Sequence, residues 1–377
     1  MGRFLVSLYI DKTEHMFHIK RTIYALEYRY NLLIIVRIWY IINIIVVMLW
    51  YWDVYVEGNN MGMKKISVAN FNVVFLEGEK EKPLLSHFDD IVMPSLTSGK
   101  KRRSGDCTYL LLDVKVKKTD SGDLVLCGII VKKTTLEVKS DLDERGELVE
   151  KDDKYSTAPY STFVIYLKNH RMLFAENQKG SPSLSNFKAL VNYLFGKYVA
   201  ELLKKIPEEK KDKFPIPIVQ VVGIPMREKM ATALKQIDRI NTLTLRFYPL
   251  NGDGDIDFTN ILGGMATDVR KMVGSKCGEV IYRSPKNISG IINVLDQSAG
   301  TVEPIFNVTY PNKTKGVIKN DMISEQTKVD IPGETGDEEI NQLINHGEDV
   351  ESIGFVSSEN NKVYERNQAK IIPFINK

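Results

Sequence analysis

The stretch TYLLLDVKVKKTDSGDLVLCGIIVKKTTLEV, residues 108–138, constrains the fold more than any other part of the chain. Two aliphatic and β-branched runs flank TDSGD, a cluster of turn-forming residues too short to hold a helix. Tight turns of this composition join antiparallel strands, so 108–119 and 123–138 are expected to form a β-hairpin. ISVANFNVVFL (66–76), YSTFVIYL (160–167) and RMLFAE (171–176) read as further strands by the same enrichment. The charged DLDERGELVEKDDK (141–154) reads as an excursion between strands.

Beyond GSPS the period changes. Leu184, Phe187, Leu190, Val191, Leu194, Phe195 and Val199 recur at intervals of three and four, which is one apolar face of a helix. Ser183 or Ser185 is placed to cap it. PEEKKDKFPIP (207–217) is charged and bounded by prolines, and is expected to link two domains, 61–206 and 218–319. The second would hold strands at IVQVVGI and TLTLRFYPL, helices at REKMATALKQIDRI and FTNILGGMATDVRKMVG, and a β-rich end. Strands and helices interleaved without a regular βαβ rhythm predict an α+β fold of mixed, mainly antiparallel sheets with a few amphipathic helices, in two subdomains. Residues 320–360 carry 11 acidic side chains against one lysine, Lys328, so 320–377 reads as an acidic, loosely ordered tail.

The first sixty residues differ in kind. LLIIVRIWYIINIIVVMLWYW (32–52) is long and apolar enough to span a bilayer, and read literally it gives one anchor in a bacterial inner membrane. Arg37 and Asn43 would each be costly in lipid. All three tryptophans (Trp39, Trp50, Trp52) fall here, whereas all three cysteines (Cys107, Cys127, Cys277) fall elsewhere. The excess of Ile, Tyr, Asn and Leu is what translated AT-rich intergenic DNA would give. Glu57-Gly58 requires purine-rich codons of ribosome-binding type shortly before Met61. The expectation is a cytoplasmic protein that starts at Met61 or Met63 and meets a membrane only if 32–52 is translated.

The cysteines are odd in number, far apart and outside any CxxC pair, which opposes a disulfide framework or zinc site and suits a reducing cytosol. Cys127, within LVLCGIIV, reads as a buried structural thiol. The chain has no GxSxG or HExxH, and the paired glycines of ILGGMATD (261–268) lack phosphate-loop spacing, so no cofactor is expected. NGDGDIDF (251–258) sets Asp253, Asp255 and Asp257 at alternate positions, which invites a Mg or Ca site and the alternative of a divalent-metal-dependent nuclease. Where an EF-hand loop requires glycine and glutamate, this stretch has Ile256 and Leu262. The plainer reading is a Gly/Asp turn that caps a helix beginning near Phe258.

Net charge is +3, yet residues 61–319 hold 40 basic and 31 acidic side chains ahead of the acidic tail. A basic body followed by an acidic tail suits contact with polyanions. Three clusters supply the cations. KKRR places Lys100, Lys101, Arg102 and Arg103 in a Gly-flanked loop, and KNHRMLF brings Lys168 close to Arg171. The third cluster sets Lys276, Arg283 and Lys286 beside Tyr282. Such groups neutralise backbone phosphates without reading bases.

STFVIYLKNHRMLFAENQKGSPSLSNFKALVNYLFGKYV runs through strand, short strand, small-residue break and helix, and LTLRFYPLNGD…FTNILGG repeats strand, turn and helix. This order resembles the RexA-like phage-exclusion proteins and other accessory proteins of bacterial antiphage defence, over about residues 160–300 and without a diagnostic motif. The resemblance implies a cytoplasmic, noncatalytic protein of a prophage or defence locus that binds DNA with little sequence preference. It also implies a partner encoded in the same operon. The family has no catalytic motif, so no catalytic residue follows from it. A homo-oligomer and a single-pass membrane-anchored effector remain open alternatives of this reading.

Overall fold

The computed structural model describes residues 63–251, 265–331 and 336–375. The apolar extension, the span at 32–52 and the alternative start at Met61 lie outside the described residues. Among those described, no helix is long and apolar enough to cross a membrane.

The strands, in chain order, begin with β1 (Met63–Glu77), β2 (Lys80–Pro83), β3 (Arg102–Ser104), β4 (Cys107–Lys118) and β5 (Leu124–Leu142). They continue with β6 (Leu148–Thr157), β7 (Tyr160–Tyr166), β8 (Arg171–Glu176), β9 (Ile216–Gly223) and β10 (Arg239–Phe247). β11 (Gly278–Arg283), β12 (Val302–Thr309), β13 (Lys315–Lys319) and β14 (Gln326–Asp330) complete them. The longer helices are α1 (Leu184–Leu203), α2 (Arg227–Lys235), α3 (Met265–Met272), α4 (Ile288–Gln297), α5 (Gly336–Glu348) and α6 (Ser358–Ile371).

The expected hairpin forms: β4 and β5 pair antiparallel around TDSGD. The charged excursion is itself structured, because β5 runs on to Leu142 and pairs with β6 as a ribbon whose Lys139–Asp152 and Lys151–Asp141 ion pairs span its two strands. Ten strands make one curled sheet, in the order β14-β1-β8-β7-β5-β4-β3, with β2 and β9 also on β1 and β6 on β5. β1 is its hub. β14 pairs with its residues 63–67 and β9 with 69–76 along one edge; β8 and β2 take the other.

Alternation along β7 and β8 sends side chains to two cores. Phe163, Ile165, Met172 and Phe174 face α1, whose Phe187 ring lies 4.8 Å from Phe163 and 5.9 Å from Phe174. Every apolar position expected on the helical face lies in this core, with Leu184 at its margin. Ser183 caps the helix in a reciprocal capping box with Asn186. On the opposite face, Val164, Tyr166, Leu173 and Ala175 pack against Ile340, Leu343, Ile344 and Ile353.

That second core corrects the expected loose tail. Residues 320–371 supply β14, α5 and α6, and Val363, Tyr364 and Ile371 reach the first core. A sheet buried on both faces needs a covering layer on each, and the acidic segment provides one of them. The acids are used there: Asp337 pairs with Lys115 and, at 2.9 Å, with Lys117. The expected boundary at 207–217 also moves. Glu208–Lys211 is a helical turn, and Ile216 already belongs to β9 of the large sheet.

The second subdomain carries a four-stranded antiparallel sheet, β11-β10-β12-β13. Leu243, Leu245, Phe306, Val308 and Ile318 of one face bury against Met230 and Leu234 of α2 and Ile291 and Leu295 of α4. The architecture is α+β, with antiparallel sheets in two subdomains.

Candidate nucleic-acid interface

The expected cations do not share one surface. Lys100 lies just before β3, and its Nζ is 2.5 Å from Oε2 of Glu201 on α1. Arg102 and Arg103 lie in β3 itself, opposite Tyr109 and Thr108, so half of the expected loop is an edge strand. Lys101 and Arg103 are exposed. Five inter-strand steps separate β3 from β1 in the large sheet.

Lys168 and Arg171 separate in role although they are near neighbours in sequence. Lys168 is half-buried and its Nζ lies 3.3 Å from Oδ1 of Asp123. Arg171 is 3% exposed, and its Nη1 donates to the carbonyl of Ala299 at 2.6 Å. A buried guanidinium cannot reach a phosphate in solvent, so Arg171 is a structural tie between the β8 end of the large sheet and the turn after α4. His170, with φ of 58°, makes the tight turn that swings Arg171 inward.

Lys276, Arg283 and Lys286 are all exposed and flank or end β11. Here the fold adds what the sequence reading missed. An open cleft of about 640 Å³ at the end of the small sheet is lined by Arg239, Asn241, Ser284, Lys286 and Ile288, among others. Arg239 opens β10 and Lys286 follows β11, and their antiparallel pairing carries both to one end. The backbone N–H of Ser284 donates to the carbonyl of Asn241 at 2.8 Å, which extends the β10–β11 pairing to the cleft lining. Ile288 is the first residue of α4, so the positive end of that helix borders the same space. Asn287 caps it by accepting from the N–H of Gly290 at 2.9 Å.

Among the described residues the one acid on the lining is Asp238, held by Lys313 at 3.0 Å. Among the described residues neither Arg239, Arg283 nor Lys286 has a carboxylate within ion-pair distance. An excess of positive charge therefore faces an open space, and such charge attracts anions. Arg239 had no neighbour in sequence to mark it; only strand pairing brings it to Lys286.

A second polar cluster lies between α1 and the small sheet. Tyr248 donates its hydroxyl to Oε2 of Glu303 at 2.6 Å, and Lys188 Nζ lies 5.8 Å from the centre of the Tyr248 ring. Burial raises the Tyr248 pKa, with the bond to Glu303 adding to it, and burial likewise raises that of the Cys277 thiol. Both groups are thus held protonated, the reverse of an activated nucleophile. Burial also pushes the Cys127 thiol up to about 12, in keeping with a structural residue. Asp253, Asp255 and Asp257 lie outside the described residues, and among the described residues no group of three potential ligands gathers around a metal position.

No protein-family model and no curated protein matches this chain.

Proposed function

We propose that the chain is a noncatalytic nucleic-acid-binding protein that grips backbone phosphates with little regard to sequence. The observation that carries this reading is the cleft in which Arg239 and Lys286 converge beside the α4 N-terminus, without carboxylate partners among the described residues. Arg283 and Lys276 extend the same positive surface along β11, and Lys101 and Arg103 offer a second, separate contact. Asn241 is tied to Thr309 by side-chain bonds of 3.0 and 3.2 Å, which engages its amide within the fold rather than with a base edge. A cytoplasmic setting in a prophage or antiphage defence locus, with a partner from the same operon, fits this chemistry and the resemblance of residues 160–300.

Fluorescence anisotropy of labelled duplexes with the full chain, over a series of salt concentrations, tests the proposal. Affinity should fall linearly on a log–log plot, by roughly 0.9 per phosphate contact, and two unrelated sequences should give the same line. Arg239→Ala and Lys286→Ala should each flatten the slope by about one contact. Binding that ignores salt, or none at low salt, rejects the reading.

A further inference from the structure

β11 is an edge strand: among the described residues it pairs with β10 alone. Two of its exposed side chains are apolar, Ile281 at 52% and Tyr282 at 41%, and they lie between the exposed charges of Glu279 and Arg283. Val273 before the strand and Ile288 after it are exposed apolar residues as well.

The direction of the free backbone groups can be worked out. Ser284 N–H points to β10, where it meets the Asn241 carbonyl. Backbone groups alternate along a strand, so those of Tyr282 and Val280 also point to β10. The N–H and C=O of Glu279, Ile281 and Arg283 then point away from β10, to the edge that no strand pairs among the described residues. Those three side chains share the outer face of the sheet, since Arg283 pairs with Thr242 and Ile281 with Thr244.

We infer that this edge takes a second copy of the chain, β11 against β11, antiparallel and centred on Ile281. In that register Ile281 of each copy faces its twin and exchanges two backbone hydrogen bonds with it. Glu279 of each copy faces Arg283 of the other, which gives two opposite-charge cross-strand pairs on one face. Glu279 has an oxygen to spare, because Arg246 engages its Oε1 at 2.5 Å. On the inner face Val280 meets Tyr282. The strand is thus complementary to itself in charge, in apolar contact and in backbone polarity, and the two small sheets become one of eight strands. Lys286 of one copy and Lys276 of the other fall at the same end of the pair, so dimerisation enlarges the basic surface. The pairing itself rests on β11 alone and holds whether or not the cleft binds nucleic acid.

Ile281→Cys in the full chain tests the register directly. Opposed Cα atoms in a hydrogen-bonded antiparallel pair lie about 5.5 Å apart, inside the span of about 4.4–6.8 Å that a disulfide bridges. Mild oxidation should give a covalent dimer severalfold above the parent chain and above Val317→Cys, an equally accessible site on β13 at the far edge. No excess over Val317→Cys overturns the proposal. Arg283→Glu and Glu279→Arg, each added to the Ile281→Cys chain, should suppress the cross-link when alone. Mixed together, they should restore it, because every facing pair is then again of opposite sign. A mixture no better than either variant alone overturns the register. The comparison of Ile281→Cys with Val317→Cys involves no charge change, so it decides the matter even if Glu279→Arg misfolds.

Discussion

Lys64 Nζ lies 2.8 Å from Oε2 of Glu339, joining β1 to the first turn of α5 across a site where the carboxylate side chain is 1% exposed. Tyr160 and Thr162 donate their hydroxyls to the same carboxylate at 3.0 and 2.7 Å. Both oxygens of the buried acid are thereby engaged, which is the condition under which a buried ion pair can be tolerated.

Glu339→Ala should cost about 3–5 kcal/mol, because it leaves a buried ammonium uncompensated. The double change Lys64→Met with Glu339→Leu should recover most of that loss, since it removes both charges together. Urea unfolding of the parent chain, the single variant and the double variant measures it.

His87 lies between two acids, with Nε2 2.7 Å from Glu77 and Nδ1 3.0 Å from Asp90. Burial of the ring opposes its charge, but Asp90 and then Glu77 outweigh that, and the His87 pKa is raised above 6.5. The Asp90 carboxyl feels burial in the opposite sense, outweighed by His87, and its pKa is lowered. A raised histidine stabilises the fold fully below its unfolded value of about 6.5, and that contribution is lost as pH rises through the folded value. The lowered aspartate contributes above its unfolded value of about 3.9 and loses its effect as pH falls through the folded one. Stability measured from pH 5 to 9 should therefore decline on the alkaline side, and His87→Gln should flatten that decline.

A Cβ at Gly347 would run into the hydroxyl of Tyr166, which donates to the carbonyl of Ile344 at 2.9 Å. Gly347→Ala should destabilise by about 1–3 kcal/mol through overpacking. In a Tyr166→Phe background the same change should cost less, because the oxygen that makes the nearest clash is gone and only those with Leu173 Cδ1 and the ring Cζ remain. The non-additive term of the double-mutant cycle is the measurement.

Arg171→Met should lower stability by about 1.5–3 kcal/mol, the range for a lost bond to a charged group. It should leave the salt dependence of DNA binding unchanged. A flattened salt slope in this variant would place Arg171 on the binding surface instead.

Local pattern carried a good part of the fold. The three-and-four spacing from Leu184 to Val199 marked the buried face of α1, and TDSGD marked the β4–β5 hairpin, because both depend on neighbours in sequence. What stayed hidden depends on distant partners. Ile340, Leu343 and Ile344 are too few, among many acids, to announce a covering helix until the open face of β7 and β8 is known. Ile216 to Gly223 looked like the start of a new domain because its partner strand, β1, lies far back in the chain. The cations show the same limit: Lys168 and Arg171 look alike in sequence, and only the turn at His170 sends one inward. Arg239 and Lys286 become neighbours only through β10 and β11.

β1 also sets the order in which the molecule can be completed. Its residues 63–67 wait for β14, which the ribosome delivers more than half a chain later. Until then the 63–67 stretch of that edge is bare beside an apolar sheet whose second face lacks α5. Sequence-distant pairing of this kind slows folding, and the waiting edge is open to other strands. A chain cut short before Gln326 would lose the closing strand of its first-made sheet along with its last helices, and aggregation is its expected fate.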